Sequence, residues 1–274
     1  MRKLFGIFVF ILFFALSNTP VFAKSTKVVV MSDVHIKVSQ DKNGNYLMTP
    51  SIRNLKNAVK DINDSDFNYA VFTGDCVDVA NKESIAMFSK IINALKKPYF
   101  VLIGNHDVAQ VLGVDKKKFF SIVNRFSKNK TRKVPSLKVI DSNLVFIFMD
   151  GVNQFIPGNK GYFREKELIW LEKKLKRYSK RNVVLFQHYP LVEPFDYKSH
   201  KTVNADEYLT LLKRHKNVKA IVSGHYHGEG DIMQDDILHI SVPTLLNGQY
   251  KELDIDYDVF GKDFVIRTKM HNAI

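Results

Sequence analysis

The feature that most constrains this chain is an alternation of short, uninterrupted apolar runs with segments of helical periodicity. Residues 27–31 (KVVVM), 69–73 (YAVFT), 99–103 (YFVLI), 144–149 (LVFIFM), 183–186 and 218–222 are rich in β-branched and aromatic side chains. Apolar residues at consecutive positions over so short a run indicate strands covered on both faces, because a strand with one wet face alternates apolar with polar. Between these runs, Ile52, Leu55, Val59 and Ile62 recur at helical spacing behind Thr49-Pro50, where Thr serves as N-cap and Pro takes the first helical position. Asn81 caps a second helix, with Ile85, Phe88, Ile91, Ile92 and Leu95 on one face. Leu168, Leu171 and Leu175 mark a helix whose other faces are charged, and a further helix lies near residues 208–212. After Gly230 only strands follow, at 237–242, 253–257 and 264–270. Strands alternating with helices predict an α/β fold with mainly parallel core strands. The strand-rich tail, residues 250–274, is expected to close one sheet or to pair with a neighbouring molecule.

The first residues follow another pattern. Arg2 and Lys3 precede an almost wholly apolar stretch, residues 4–16, and Val21-Phe22-Ala23 offers small or β-branched residues where a signal peptidase cuts. The apolar stretch falls short of the ~20 residues of a membrane span. Residues 1–23 are therefore expected to be a signal peptide and the protein to be exported, to the periplasm or beyond the cell, with an uncleaved N-terminal anchor as the alternative. Residues 24–274 then form a single domain, since no linker, repeat or low-complexity stretch divides them, and no stable membrane span is expected there. Without Arg2 and Lys3 the formal charge falls from +13 to +11. The single cysteine, Cys76, excludes an intramolecular disulfide.

Function is expected where the strands end. Asp33-Val-His35 follows the first run, Gly74-Asp75 the second, Gly104-Asn105-His106-Asp107 the third, Gln187-His188 the run at 183–186, and Gly224-His225-Tyr226-His227 the run at 218–222. Ligands of open α/β sheets bind just beyond the carboxyl ends of strands. Five of the nine histidines lie in these motifs. Carboxylate, imidazole and amide oxygen suit Mn, Fe or Zn without a thiolate, and a pair of such ions can clamp the attacking and leaving oxygens of an in-line displacement. A carboxylate such as Asp75 can bridge two ions through its two oxygens. Cys76 reads as a small buried hydrophobe. His200, His215, His239 and His271 have no such company and read as structural or surface residues, although His200 lies in a loop, 193–201, that could overhang the site. Asn153 to Lys160 is polar and could line a cleft.

The series D-x-H, G-D, G-N-H-D, a lone His after a strand, and G-H-x-H, in this order, resembles the calcineurin-like metallophosphoesterases over residues 28–244. Residues 161–175 (GYFREKELIWLEKKL) also resemble that family's helix between the third and fourth motifs. The resemblance implies a four-layer α/β/β/α sandwich, with two mixed β-sheets flanked by helices. It implies that Asp33, His35 and His227 hold one metal and Asn105, His188 and His225 a second, with Asp75 shared, and that a bridging hydroxide attacks phosphorus. His106 would stabilise the phosphoryl oxygens or protonate the leaving group, and Asp107 would orient His106. Asp78 stands where the purple acid phosphatases of the same superfamily carry a Tyr ligand, which argues against that subgroup. The expected substrate is an anionic phosphate ester, with a phosphodiester of nucleotide type favoured, a phosphomonoester as the alternative and an exported nuclease as a third reading. The basic excess welcomes nucleotides, lipid headgroups, teichoic-type polymers or nucleic acid and selects none of them. A non-catalytic, metal-containing binder of anionic polymers is the rival class, and the intact His106-Asp107 pair speaks against it.

Overall fold

Two β-sheets lie face to face between layers of helices in the computed structural model, which describes residues 24–128, 130, 131, 133–194, 200–258 and 263–273. The expected signal peptide, residues 1–23, lies outside the described residues. In chain order the elements are β1 (Lys24–Met31), α1 (Pro50–Asn63), β2 (Tyr69–Phe72), α2 (Lys82–Ile92), β3 (Tyr99–Val101), α3 (Lys116–Phe126), β4 (Ser136–Val139), β5 (Leu144–Phe148), α4 (Glu165–Arg177), β6 (Asn182–Phe186), α5 (Ala205–Lys213), β7 (Val218–Ser223), β8 (Gly230–Gln234), β9 (Ile237–Ser241), β10 (Gln249–Tyr257) and β11 (Phe264–Asn272).

The first sheet has the order β11-β10-β1-β2-β3 and the second β4-β5-β6-β7-β9-β8. Strands β1, β2 and β3 are parallel, as are β5, β6, β7 and β9. Strands β10, β11, β4 and β8 join antiparallel, so both sheets are mixed. The C-terminal tail closes the first sheet, with β10 against β1 and β11 outside it.

The uninterrupted apolar runs are explained by burial on both faces. Val28 and Val30 point between the sheets, while Val29 and Met31 point to the layer of α1, α2 and α3. Likewise Phe146, Phe148, Val184 and Phe186 fill the inter-sheet layer, and Val145, Ile147, Val183 and Leu185 meet α4 and α5. The middle layer is aromatic: Phe148 stacks on Phe100 at 4.6 Å and on Phe186 at 5.6 Å between ring centroids. Thr49 caps α1 through Ile52 N, and Asn81 caps α2 through Ser84 N at 2.8 Å. Three elements lack the signals used above. Strands β4 (SLKV) and β8 (GDIMQ) are edge strands without a continuous apolar run, and the three lysines that open α3 mask its buried Phe119, Phe120 and Val123. No helix among the described residues is long and apolar enough to cross a membrane.

His239, on β9, is 7% exposed, and its Nε2 has no hydrogen-bond partner among the described residues. Burial pushes its imidazole down to about 4, against a weaker opposing pull from Asp235. The unfolded chain takes up this proton near pH 6.5 and the folded chain near 4. Stability is therefore intact above pH 6.5 and falls as pH drops from there to 4, by about 3 kcal/mol from this group. Urea unfolding of His239→Phe at pH 7 and pH 4.5 is expected to show a shallower acid loss than the wild type; equal losses would remove His239 as the cause.

Candidate active site

The loops that follow β1, β2, β3, β6 and β7 meet at one end of the two sheets. Beyond the last ladder bond of β1 and β2 the loops stay paired: Asp33 N donates to Gly74 O at 3.1 Å and His35 N to Asp75 O at 3.0 Å. Asp33, His35, Asp75, His225 and His227 have φ of 51°, 48°, 49°, 73° and 57°. They are five of the seven non-glycine residues with positive φ among the described residues. The left-handed region costs a residue with a Cβ about 1–3 kcal/mol and persists only where surrounding contacts enforce it. Its effect here is to turn Asp33 and His35 towards the same space while Val34, between them, is buried in the core. Two glycines leave room for the carboxylates. A Cβ on Gly104 would stand 2.1 Å from Asp75 Oδ1, and one on Gly224 2.7 Å from Asp33 Oδ2.

Three overlapping sets of donor atoms result: Asp33-His35-His227, Asp75-His188-His225 and, between them, His35-Asp75-His106. In the first, His227 Nε2 lies 3.3 Å from Asp33 Oδ1 and 3.1 Å from His35 Nε2. In the second, His188 Nε2 lies 3.1 Å from Asn105 Oδ1 and 3.4 Å from Asp75 Oδ2, with His225 alongside. The sets Asp33-His35-His227 and Asp75-His188-His225 each have donor atoms within 4.8 Å of one another, a spacing that can hold a metal ion. Asp75 Oδ2 is also 3.9 Å from His35 Nε2, so one oxygen faces both groups. The other, Oδ1, accepts His106 N–H at 2.8 Å, which differs from the expectation that each oxygen serves one ion.

The tautomers follow from the outer contacts. His188 Nδ1 donates to Thr73 O at 3.1 Å and His225 Nε2 to Asn159 O at 2.7 Å. With the rings neutral, these bonds would leave Nε2 of His188 and Nδ1 of His225 as the coordinating lone pairs. Asp33 Oδ1 and His35 Nδ1 are buried without a hydrogen-bond partner, and the first lies directly beside His227. A buried carboxylate oxygen left without a donor fits a cation that completes the site.

The charges are strongly coupled. Burial resists ionisation of Asp75, yet His188 beside it holds this carboxylate well below its ordinary range. Burial likewise opposes charge on His188, and Asp75 outweighs it, pushing the imidazole up to about 9. Burial, helped by His106 and His227 and opposed by Asp75 and Asp33, drives His35 down, and burial with the charge of His188 takes His225 to about 3. Asp33 likewise raises His227 through their hydrogen bond, so each of these two buried carboxylates stands beside an imidazole whose charged form it favours.

The nine residues expected at the site all lie on the loops that meet at this end of the sheets, with Asp107 behind the donor groups. One expected role is corrected. Asp107 does not orient the His106 ring: its oxygens accept Val77 N–H at 3.1 Å and Gly104 N–H at 2.8 Å, so it fastens the loop after β3 to the loop after β2. The His106 ring is held instead by the backbone carbonyl of Asp78, which accepts from Nδ1 at 2.7 Å. Tyr226 of the last motif and two residues outside the motifs, Asn159 and His200, also line a cavity of about 230 Å³ above the donor groups. The His200 ring centroid lies 5.1 Å from that of His225. Its isolation in the sequence concealed this, and residues 195–199 of the loop expected to overhang the site lie outside the described residues. Cys76 is buried with its thiol raised by desolvation, consistent with an inert packing role. Asp150, at the end of β5, is engaged by Lys116 Nζ at 2.6 Å and stands apart from the donor groups.

Because Gly104 borders Asp75, Gly104→Ala is expected to displace that carboxylate. Metal analysis after dialysis against Mn²⁺ should find less than half the wild-type content, with an unchanged circular dichroism spectrum. Full metal content in this variant would show that the close approach does not position Asp75.

Comparison with known proteins gives the same assignment. A probable glycerophosphodiester phosphodiesterase of Arcobacter nitrofigilis is 31% identical over 224 residues, covering 79% of this chain and 77% of the relative. A 3′,5′-cyclic adenosine monophosphate phosphodiesterase of Vibrio vulnificus is 23% identical over 231 residues, covering 80% and 76%. Among solved structures, a dimetal phosphatase from Danio rerio shares the fold with a TM-score of 0.66 at 14% identity, over 88% of this chain and 98% of the other. The calcineurin-like phosphoesterase family matches residues 26–229, the stretch that supplies every strand-end motif described above, so the chain belongs to that family and is a metal-dependent phosphoric ester hydrolase.

Proposed function

We propose that the protein hydrolyses phosphodiesters, with Asp33, His35 and His227 holding one metal ion, Asn105, His188 and His225 a second, and Asp75 shared between them. The observation that carries this reading is Asp75 Oδ2, an oxygen of a buried carboxylate that faces both donor groups at 3.4 and 3.9 Å. The mixture of carboxylate, imidazole and amide oxygen suits Mn, Fe or Zn. When bound, the ions supply the Lewis acidity that ionises a water near neutral pH and balances phosphoryl charge.

The chain contributes position and protons. Asp75 is fixed through Oδ1 by the His106 amide, which leaves Oδ2 for the ions. His188 and His225 are fixed as lone-pair donors by the carbonyls of Thr73 and Asn159. His106 is anchored through Nδ1 on Asp78 O, so Nε2 is the nitrogen left for the cavity that its ring lines. From there it donates to a phosphoryl oxygen or hands a proton to the departing alkoxide. A diester is favoured by the relatives named as phosphodiesterases, and by a cavity lined with Asn159, Tyr226 and His200, which offer polar contacts to a second esterified group.

Hydrolysis of an aryl phosphodiester and an aryl phosphomonoester in Mn²⁺ tests the reading. The diester is expected to be the faster substrate. His106→Ala should lower kcat about 10²–10⁴-fold while retaining both ions. Faster monoester turnover would establish a phosphomonoesterase, and no turnover of either ester with two ions bound would leave a binding protein. Metal uptake supplies a separate test of the ligand set. Metal-free His188 carries a proton at pH 7 and must lose it to coordinate, so affinity should rise with pH up to about 9. Calorimetry in two buffers of different ionisation heat should detect at least one proton released per protein; release of none would remove His188 from the ligand set.

A further inference from the structure

Two loops at the mouth of the site carry large apolar side chains directed at water. Val111 and Leu112, 82% and 60% exposed, tip the loop that follows His106 and Asp107, and Phe155 and Ile156, 59% and 80% exposed, tip the loop that leads to Asn159. Val111 and Ile156 are the two most exposed large hydrophobic residues among those described. The tips are tied together: Gln110 N donates to Gln154 O at 3.0 Å, and Lys116 N to Gln154 Oε1 at 3.4 Å. Single exposed apolar residues are ordinary, but the extreme cases gathered on two coupled tips at one rim mark an interaction surface.

The surroundings indicate the partner. Lys117 and Lys118 are exposed and line a hollow with Gly113, beside the Leu112 tip. Lys160, next to the cavity-lining Asn159, is exposed on the other loop. The acid in the hollow, Asp115, is occupied as N-cap of α3 through Lys118 N at 2.6 Å. Apolar tips flanked by lysines suit a membrane interface, where the tips enter the acyl boundary and the cations meet anionic headgroups. A second copy of the chain would bring these same lysines against its own, in a protein of formal charge +13.

We infer that the paired tips Val111-Leu112 and Phe155-Ile156 form a wedge that docks the protein on an anionic lipid bilayer, with the mouth of the site opening at headgroup level. Docking is independent of the reaction proposed above, and none of the four tip residues belongs to the donor groups. The test is local to the wedge. Cys76 is buried, so Ile156→Cys can carry an environment-sensitive dye as the one accessible thiol. Ile169→Cys, at a position 45% exposed on α4, is the control. With vesicles of phosphatidylcholine and phosphatidylglycerol at low salt, dye at position 156 should shift to the blue while dye at 169 stays unchanged, and high salt should weaken the shift. Adding Lys117→Glu and Lys118→Glu should raise the lipid needed for half the shift by about tenfold or more. The inference is overturned by an unshifted dye at 156 on anionic vesicles or by equal shifts at both positions. A shift that grows with protein concentration without lipid would also overturn it, assigning the wedge to a second copy of the chain.

Discussion

Two carboxylates buried at the ends of strands govern the structure. Asp33 and Asp75 are 0% and 2% exposed. An ionised carboxylate leaves water only where other charge or hydrogen-bond donors replace the lost hydration. Both acids nonetheless lie below their ordinary range, because His227 and His188 stand beside them. His188 in turn needs a fixed orientation, which the backbone carbonyl of Thr73 provides, as that of Asn159 does for His225. The rest of the site is thus an arrangement that makes two otherwise unfavourable burials acceptable, and a cation is its natural completion.

The backbone bears the corresponding cost. Left-handed conformations at Asp33, His35, Asp75, His225 and His227 put strain where the chemistry is, as functional sites often do. The strain is tolerated because the loops after β1 and β2 remain hydrogen-bonded to each other, and Asp107 clamps the loop after β3 to the loop after β2. Asp107 therefore serves the site through the backbone and leaves His106 to the carbonyl of Asp78. A pattern of residue types reveals that an acid is present beside a histidine, but the direction of a carboxylate depends on which amides the fold aims at it.

Much of this is legible in the sequence. Runs such as KVVVM and LVFIFM are apolar at every position because both faces are covered, and that is why the core strands stood out. The strand-end placement of Asp, Asn and His is legible in the sequence, and the fold brings these residues together. Edge strands β4 and β8 are not legible in this way, since their own residues are largely polar or half-exposed. His200 and Asn159 reach the cavity from loops with no periodicity, and only the folded chain shows their distance from His225. The carbonyls that set the histidine tautomers are invisible to any motif, because every residue has one.

Each donor group draws on both sheets. Asp33, His35, Asp75 and Asn105 extend from β1, β2 and β3, whereas His188, His225 and His227 extend from β6 and β7. The gap across which they face one another is therefore set by the thickness of the aromatic layer of Phe100, Phe146, Phe148 and Phe186 between the sheets. That layer acts as a ruler for the site. Its side chains touch no reacting atom, yet close-packed interiors transmit a change of one methylene, so the spacing of the donors is written as much in the phenylalanines of the core as in the histidines that hold the charge.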